Sequence, residues 1–219
     1  LNQLVPIEEQ SVSTRKLASR FVMGVVGPSG SGKTTFAEVL KLVVRVVLRR
    51  QLPVVSMDGY HLRNAELERK GLRELKGSVE TFELGRFAAD LMVLKNHTSK
   101  PVSFPAYDRK LHEPVDDAVR VMQQDRVCLA EGLFLLETEQ LQACFDAVVF
   151  LNIEEDLSSR RTQGRFVATG RSADYAAEHW KTVDLPNYRR VLAKREFASI
   201  VLQVDENQRV SLANEQFPT

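Results

Sequence analysis

Cysteine is nearly absent from this chain. Its two copies, Cys128 and Cys144, are too few for a disulfide framework and are not spaced as metal ligands are. Cys128 lies in the apolar run VCLA, so it reads as a small buried hydrophobe, and the expected compartment is a reducing, cytoplasmic one. Long apolar runs are also missing. None approaches the roughly 18 residues that cross a bilayer, and the first residues lack the charged-apolar-small succession of a secretory signal. No membrane partner is expected. The chain begins at Leu1, which leaves an upstream segment an open question. An excess of one charge is lacking too. Thirty Lys and Arg offset 29 Asp and Glu, a net charge of +1, so no global field draws in nucleic acid. The single tryptophan, Trp180, falls in a helical pattern and reads as packing, while His61 and His97 have no evident partner. There is no internal repeat and no low-complexity segment.

What the chain does contain is ordinary globular material: 43% hydrophobic and 27% charged residues in 219, enough for one domain over 1–219 with a real core. Five short apolar runs read as buried strands: 21–26, 53–57, 127–132, 146–152 and 199–204. Helical patterns fall at about 8–19, 33–50, 83–95, 154–168 and 172–194. In 33–50 the polar residues Glu38, Lys41, Arg45 and Arg49 form one stripe, which predicts a helix buried on its remaining faces. The stretch 58–82 is mixed and basic, 100–108 looks extended, and 114–125 is too polar for core. Strands alternating with helices predict an α/β fold: a five-stranded parallel sheet with helices on both faces. Ligands of such sheets gather at the carboxyl ends of the strands.

Directly after the first strand stands GPSGSGKT, Gly27 to Thr34, a full match to G-x-x-x-x-G-K-[ST]. Gly27, Gly30 and Gly32 let the backbone curl until successive N–H groups face one anion, and Pro28, Ser29 and Ser31 complete the loop. The helix that starts there adds its positive end. Lys33 can reach the terminal phosphates of a nucleotide, and Thr34 can ligate Mg²⁺, with Thr35 beside it. The expected cofactors are ATP and Mg²⁺.

Acidic groups end the next two strands. Asp58, in SMDGYH, is placed to orient a hydroxyl and take its proton; an Asp-Gly turn is the competing explanation. Glu131, at the end of VCLAEG, is placed to hold Mg²⁺; a solvated strand end is the competing one. Arg160, Arg161, Arg165 and Arg171 crowd one helix and its following turn. Arg161 and Arg165, four apart, share a face and can close over phosphates, or else form a solvated basic surface. Gly164 and Gly170 in the same stretch suggest a mobile lid over about 155–172. The irregular run FPAYDRKLHEP brings Tyr107, Asp108, Arg109 and His112 together.

These pieces resemble the uridine kinase, phosphoribulokinase and pantothenate kinase group of P-loop kinases. The likeness runs from about Phe21 to Val204, through GPSGSGKTT, MDGYH, KGSVETF, PAYDRKLHEPV, LAEGLFLL, RRTQGRFVATGRS and VDLPN. Within the group the chain looks most similar to bacterial kinases provisionally named for fructose transport or for nucleosides and nucleotides. The resemblance implies Asp58 as base, Glu131 as an aid to Mg²⁺, and Tyr107 and His112 as acceptor contacts. Arg109 and Tyr60 join that acceptor set. The lid arginines Arg161 and Arg165 would meet the phosphates, with Arg160 and Arg171 as further candidates. Two departures leave the acceptor open. GYH follows Asp58 where uridine kinases tend to carry Ser or Thr and then aromatics, and KGSVETF is closer to the sugar- and pantothenate-kinase-like branch. The chain is also shorter than bacterial pantothenate kinases, which points away from that activity.

The expectation is therefore a kinase of small hydroxyl compounds, nucleoside-, sugar- or pantothenate-like. A GTP switch would need N/T-K-x-D and D-x-x-G motifs, and the sequence has neither. A non-catalytic ATP-binding scaffold is the alternative, against which Lys33, Thr34, Asp58 and Glu131 all stand intact. The oligomeric state is left open, a homodimer included.

Overall fold

The computed structural model describes residues 19–96 and 100–212; the helix expected at about 8–19 and His97 lie essentially outside them. Strand β1 (Phe21–Val26) runs into a tight loop and then helix α1 (Lys33–Val47). Strand β2 (Val54–Ser56) passes at once into a 3-10 turn, Met57–Tyr60. Helices α2 (Asn64–Arg69) and α3 (Leu84–Lys95) follow. A hairpin comes next, β3 (Val102–Asp108) with β4 (Glu113–Val121). Then come β5 (Val127–Gly132), the short α4 (Glu139–Gln142) and β6 (Ala147–Asn152). A long helical stretch holds α5 (Glu155–Ala168), α6 (Ala173–His179), a π-helical turn (Trp180–Asp184) and α7 (Leu185–Leu192). Strands β7 (Ile200–Val204) and β8 (Val210–Leu212) come last.

All five strands read from the sequence are present and parallel, in the order β2-β5-β1-β6-β7. The sheet nevertheless has six strands, not five. β8 pairs antiparallel with β7 at the edge, through a turn in which Gln208 N–H donates to Asp205 and Asp205 N–H to Arg209. The extended stretch at 100–108 and the polar one after it form the separate β3–β4 ribbon. β4 is largely exposed, as its polarity predicts, though Pro114 and Val121 are buried.

Side chains alternate across the sheet and so build two layers. Val22, Val26 and Cys128 face one side, with Phe87, Leu91, Phe104 and Phe134. Val25, Leu129 and Leu151 face the other, with Ala37, Trp180 and Tyr188. Each large aliphatic or aromatic group so buried contributes about 1.5–3 kcal/mol.

Helix α1 corrects an expectation. Only Ala37 is fully buried; Val39, Leu42, Val43, Val46 and Val47 are 47 to 69% exposed. The helix meets the sheet along one seam, Phe36, Ala37, Leu40 and Val44, at helical spacing. Its other apolar residues have no neighbouring element to cover them among the described residues.

The 3-10 turn is held tightly. The Ser56 hydroxyl accepts from the Asp58 N–H at 3.3 Å, and Gly59 lies so close to β3 that a Cβ there would collide with the Pro105 carbonyl. The turn, and with it Asp58, is thereby fixed against the hairpin. Gly59→Ala should lower stability by about 2–3 kcal/mol, read from the midpoint of urea unfolding. An unchanged midpoint would show that the approach to Pro105 is not tight.

Candidate active site

The loop after β1 is shaped by its glycines and by what packs on it. Gly32 takes φ +87°, a left-handed conformation that favours glycine, and caps α1. The helix has no side-chain cap and no acidic residue in its first turn, so its free N–H groups are left to face an anion. The Ser158 hydroxyl donates to the Ser29 carbonyl at 2.6 Å, and the Ser29 hydroxyl donates to Asp184 at 3.0 Å. These bonds tie the loop to α5 and to the π-helical turn. Lys33 folds back, its ammonium donating to the carbonyls of Gly27 and Pro28 at 2.9 and 3.0 Å. Burial pulls the Lys33 pKa down, opposed by the nearby carboxylates of Glu131 and Asp58.

A cavity of about 680 Å³ opens over this loop, with Lys33, Thr34, Arg109, Arg161 and Arg165 in its walls. That volume suits a small-molecule cofactor. Of the four lid arginines, only Arg161 and Arg165 reach it. Arg161 also donates to the Gly30 carbonyl at 3.3 Å. Arg160 pairs with Glu206 at 2.5 Å, and Arg171 lies over the Tyr175 ring at 5.2 Å, both outside the cavity lining.

Glu131 ends β5, between the loop and β2. It is only 5% exposed, and its oxygens meet hydroxyls alone: Ser56 at 2.5 Å and Thr34 at 3.5 Å. Burial raises its pKa, with the Asp58 charge adding to the rise. A buried carboxylate with no cation bonded to it, flanked by two hydroxyls, fits a hard divalent ion. Among the described residues no three His, Cys, Asp or Glu groups form a metal cage. That is compatible with Mg²⁺, which is commonly held by one or two protein carboxylates plus phosphate oxygens.

Asp58, in the turn beyond β2, acts electrostatically on Lys33, Glu131, His61 and Tyr107, and so lies near both the loop and the hairpin. Tyr107 has its pKa pushed up to about 12, by burial first and then by Asp58 and Glu113. His61 stacks on Phe82 at 3.9 Å and lies 5.1 Å from the Tyr107 ring. Burial pulls its pKa down to about 4, so it is neutral at physiological pH.

The structure thus brings Lys33, Thr34, Asp58, Glu131, Tyr107, Arg109, Arg161 and Arg165 to one end of the sheet. Tyr60 is elsewhere: it is fully buried against Phe87, and its hydroxyl donates to Asp90 at 2.7 Å. It supports the turn from behind and presents no surface to an acceptor. His112 stands at the hairpin tip with φ +53° and an exposed side chain; its carbonyl, not its ring, makes the contacts to Lys76 and Asn64. Several residues had no voice in the sequence reading. Ser56 holds Glu131. Asp184 joins Ser29 to His179, whose ring contacts Asp184 at 2.8 Å and the Lys76 carbonyl at 3.4 Å. The VDLPN run was the one visible trace of Asp184.

A phosphate-binding loop, a strand-end carboxylate pair and a helix bearing two arginines define a P-loop kinase. Residues 22–211 match the model of the phosphoribulokinase/uridine kinase family, and the chain belongs to that family. It is 25% identical to the uridine kinase of Latilactobacillus sakei over 201 residues, 91% of this chain and 92% of that one. It is 25% identical to the pantothenate kinase of Enterococcus faecalis over 214 residues, 85% of this chain and 69% of the relative. A crystal structure of a provisionally named fructose transport system kinase from Silicibacter sp. TM1040 superimposes with a TM-score of 0.72. That chain is 29% identical, with 84% of this chain and 89% of the other covered. The family and these relatives are small-molecule kinases, and this chain is an enzyme of that class.

The raised pKa of Glu131 has a measurable effect on stability. The folded protein holds this proton more tightly than the unfolded chain does, so stability falls as pH rises from the ordinary carboxylate range through the raised value. Glu131→Gln should remove that fall. Thermal unfolding of the nucleotide-free protein at a series of pH values should show the variant gaining on wild type above about pH 4.5 and not below it. Parallel profiles across the range would contradict the assignment.

Proposed function

We propose that the chain transfers the γ-phosphoryl group of ATP to a hydroxyl of a small acceptor, nucleoside-, sugar- or pantothenate-like, with Asp58 as the base. One observation carries the reading. The Asp58 carboxylate, just beyond β2, lies near enough to both the loop lysine and Tyr107 to act on each electrostatically. A hydroxyl bound beside Tyr107 would therefore have a proton acceptor next to it.

The triphosphate is received by the backbone N–H groups of Ser29 to Thr35, which include the start of α1. Lys33 leaves the Gly27 and Pro28 carbonyls for the phosphate oxygens. Thr34 and Glu131 would hold Mg²⁺, which when bound with ATP neutralises charge across the phosphate oxygens. Asp58 orients the acceptor hydroxyl and takes its proton as the new O–P bond forms and the bond from the γ-phosphorus to the β–γ bridging oxygen breaks, with ADP leaving. Arg161 and Arg165 reach into the cavity from α5 and stabilise the charge spread over the moving group. Helix α5 and the turn that follows it then act as a lid over about 155–172 that keeps water from the phosphoryl group. Both cysteines are free and buried, which suits the reducing cytoplasm proposed for the protein.

Asp58→Asn keeps the shape of the side chain and removes the base. The expected result is a fall in kcat of about 10²–10⁴-fold, with ATP binding by calorimetry close to wild type. Retention of full transfer rate with an acceptor that wild type uses would show that Asp58 is not the base.

A further inference from the structure

Against Tyr107, on which Asp58 also acts, lies a pair of cations that phosphoryl transfer from ATP does not use. Lys76 is half-buried; its ammonium stands 5.2 Å from the centre of the Tyr107 ring and donates only to neutral oxygens, Asn64 Oδ1 and the His112 carbonyl, each at 2.7 Å. Arg73 converges on the same Asn64 oxygen. Other basic residues nearby are matched: Arg63 with Asp116, Lys70 with Glu66, Arg86 with Glu83 and Asp116. Among the described residues, no carboxylate lies within ion-pair distance of Lys76 or Arg73. Glu113 acts on Lys76 electrostatically from beyond that distance and accepts instead from the Asn64 N–H at 2.8 Å.

Removing an ammonium from water without a counter-ion is costly. Burial first, then the Arg73 charge, pulls the Lys76 pKa down, and Glu113 opposes the shift without cancelling it. Its backbone is nevertheless held in place. The Lys76 carbonyl meets His179, which binds Asp184, which in turn binds Ser29 of the phosphate loop. Gly77 N–H donates to Thr81, and the Gly77 carbonyl accepts from Asn187 at 2.9 Å. The cation is thus fixed relative to the loop before any acceptor arrives, which is the condition under which a charge discriminates between ligands.

The geometry points to an acceptor alcohol that carries its own anionic group, a carboxylate or a phosphate ester, received by Lys76 and Arg73 while its hydroxyl lies at Asp58. This rests on the kinase reading above and narrows it. An uncharged alcohol would cover Lys76 and offer it nothing, whereas an anion completes the missing pair. Arg109 lines the nucleotide cavity instead and is left to the phosphates of ATP.

The test uses alcohol pairs that differ in the anion: glycerate against glycerol and pantothenate against pantothenyl alcohol for a carboxylate, ribose 5-phosphate against ribose for a phosphate. Binding to the full chain saturated with ADP and Mg²⁺ is measured by calorimetry, and ADP release with ATP in parallel. In at least one pair the charged member should bind about tenfold or more tightly than its neutral twin. Lys76→Met should erase most of that difference, and the exposed Arg73→Gln, which puts folding at no risk, should reduce it. Equal binding within every pair, no binding of any charged member, or a preference untouched by both variants would overturn the inference. The two readings fail differently. Neutral alcohols turned over as fast as charged ones would remove the anion site and leave the kinase. Charged alcohols bound through Lys76 without any acceptor-dependent ADP release would keep the anion site and remove the kinase.

Discussion

β5 lies between β1 and β2, and that interposed strand sets the gap between the loop after β1 and the turn after β2. Neighbouring strands are about 4.8 Å apart, so the loop after β1 and the turn after β2 are separated by about 10 Å. Glu131, at the end of the middle strand, occupies the gap and reaches a hydroxyl on each side, Thr34 and Ser56. Every other feature of the site refers to this spacing. α1 presents its N-terminus on one side of the gap, the 3-10 turn presents Asp58 on the other, and α5 closes over the loop with Arg161 and Arg165.

Charges in this region are mismatched on purpose of function rather than of stability. Lys33 is bonded to carbonyls, Glu131 to hydroxyls, Lys76 to an amide and a carbonyl. Each is desolvated without an opposite charge in contact, and each has its pKa moved by burial toward the neutral form. Such groups weaken the empty protein and favour ligands that supply the missing charge, which on the proposed reading are phosphates for Lys33, a divalent cation for Glu131 and an anionic acceptor for Lys76. On the exposed surface the pattern is the reverse. Surface cations such as Arg63, Lys70 and Arg190 have carboxylate partners, at little energetic consequence in water.

Much of this was legible in the sequence because it is local. The five parallel strands are short β-branched runs covered on both faces, and the phosphate loop is a contiguous spacing. Asp58 and Glu131 are marked by their place at strand ends. β8 escaped notice because three exposed residues, Val210–Leu212, carry no period. The seam of α1 was misjudged because an apolar composition states what a helix can bury, and not what the fold provides to cover it. Tyr60 was misassigned for a geometric reason. A 3-10 turn rotates successive residues by about 120°, so Asp58 and Tyr60, two positions apart, cannot share a face. Lys76 and Asp184 fall in the runs KGSVETF and VDLPN, but their roles, with those of Arg73 and of the Ser29–Asp184–His179 chain, were not legible there. They depend on the fold bringing residues 73–77 against the hairpin at 107–113 and the turn at 180–184.

The most direct measurement follows the phosphorus atom. ATP labelled at the γ-position is mixed with Mg²⁺, the protein and a charged alcohol from the acceptor pairs that binds it, under single-turnover conditions. The label should appear on the alcohol oxygen at least as fast as ADP forms, with little inorganic phosphate. Label found only in inorganic phosphate, or retained in ATP while the alcohol is bound, would contradict transfer between the loop at Gly27–Thr34 and a hydroxyl at Asp58.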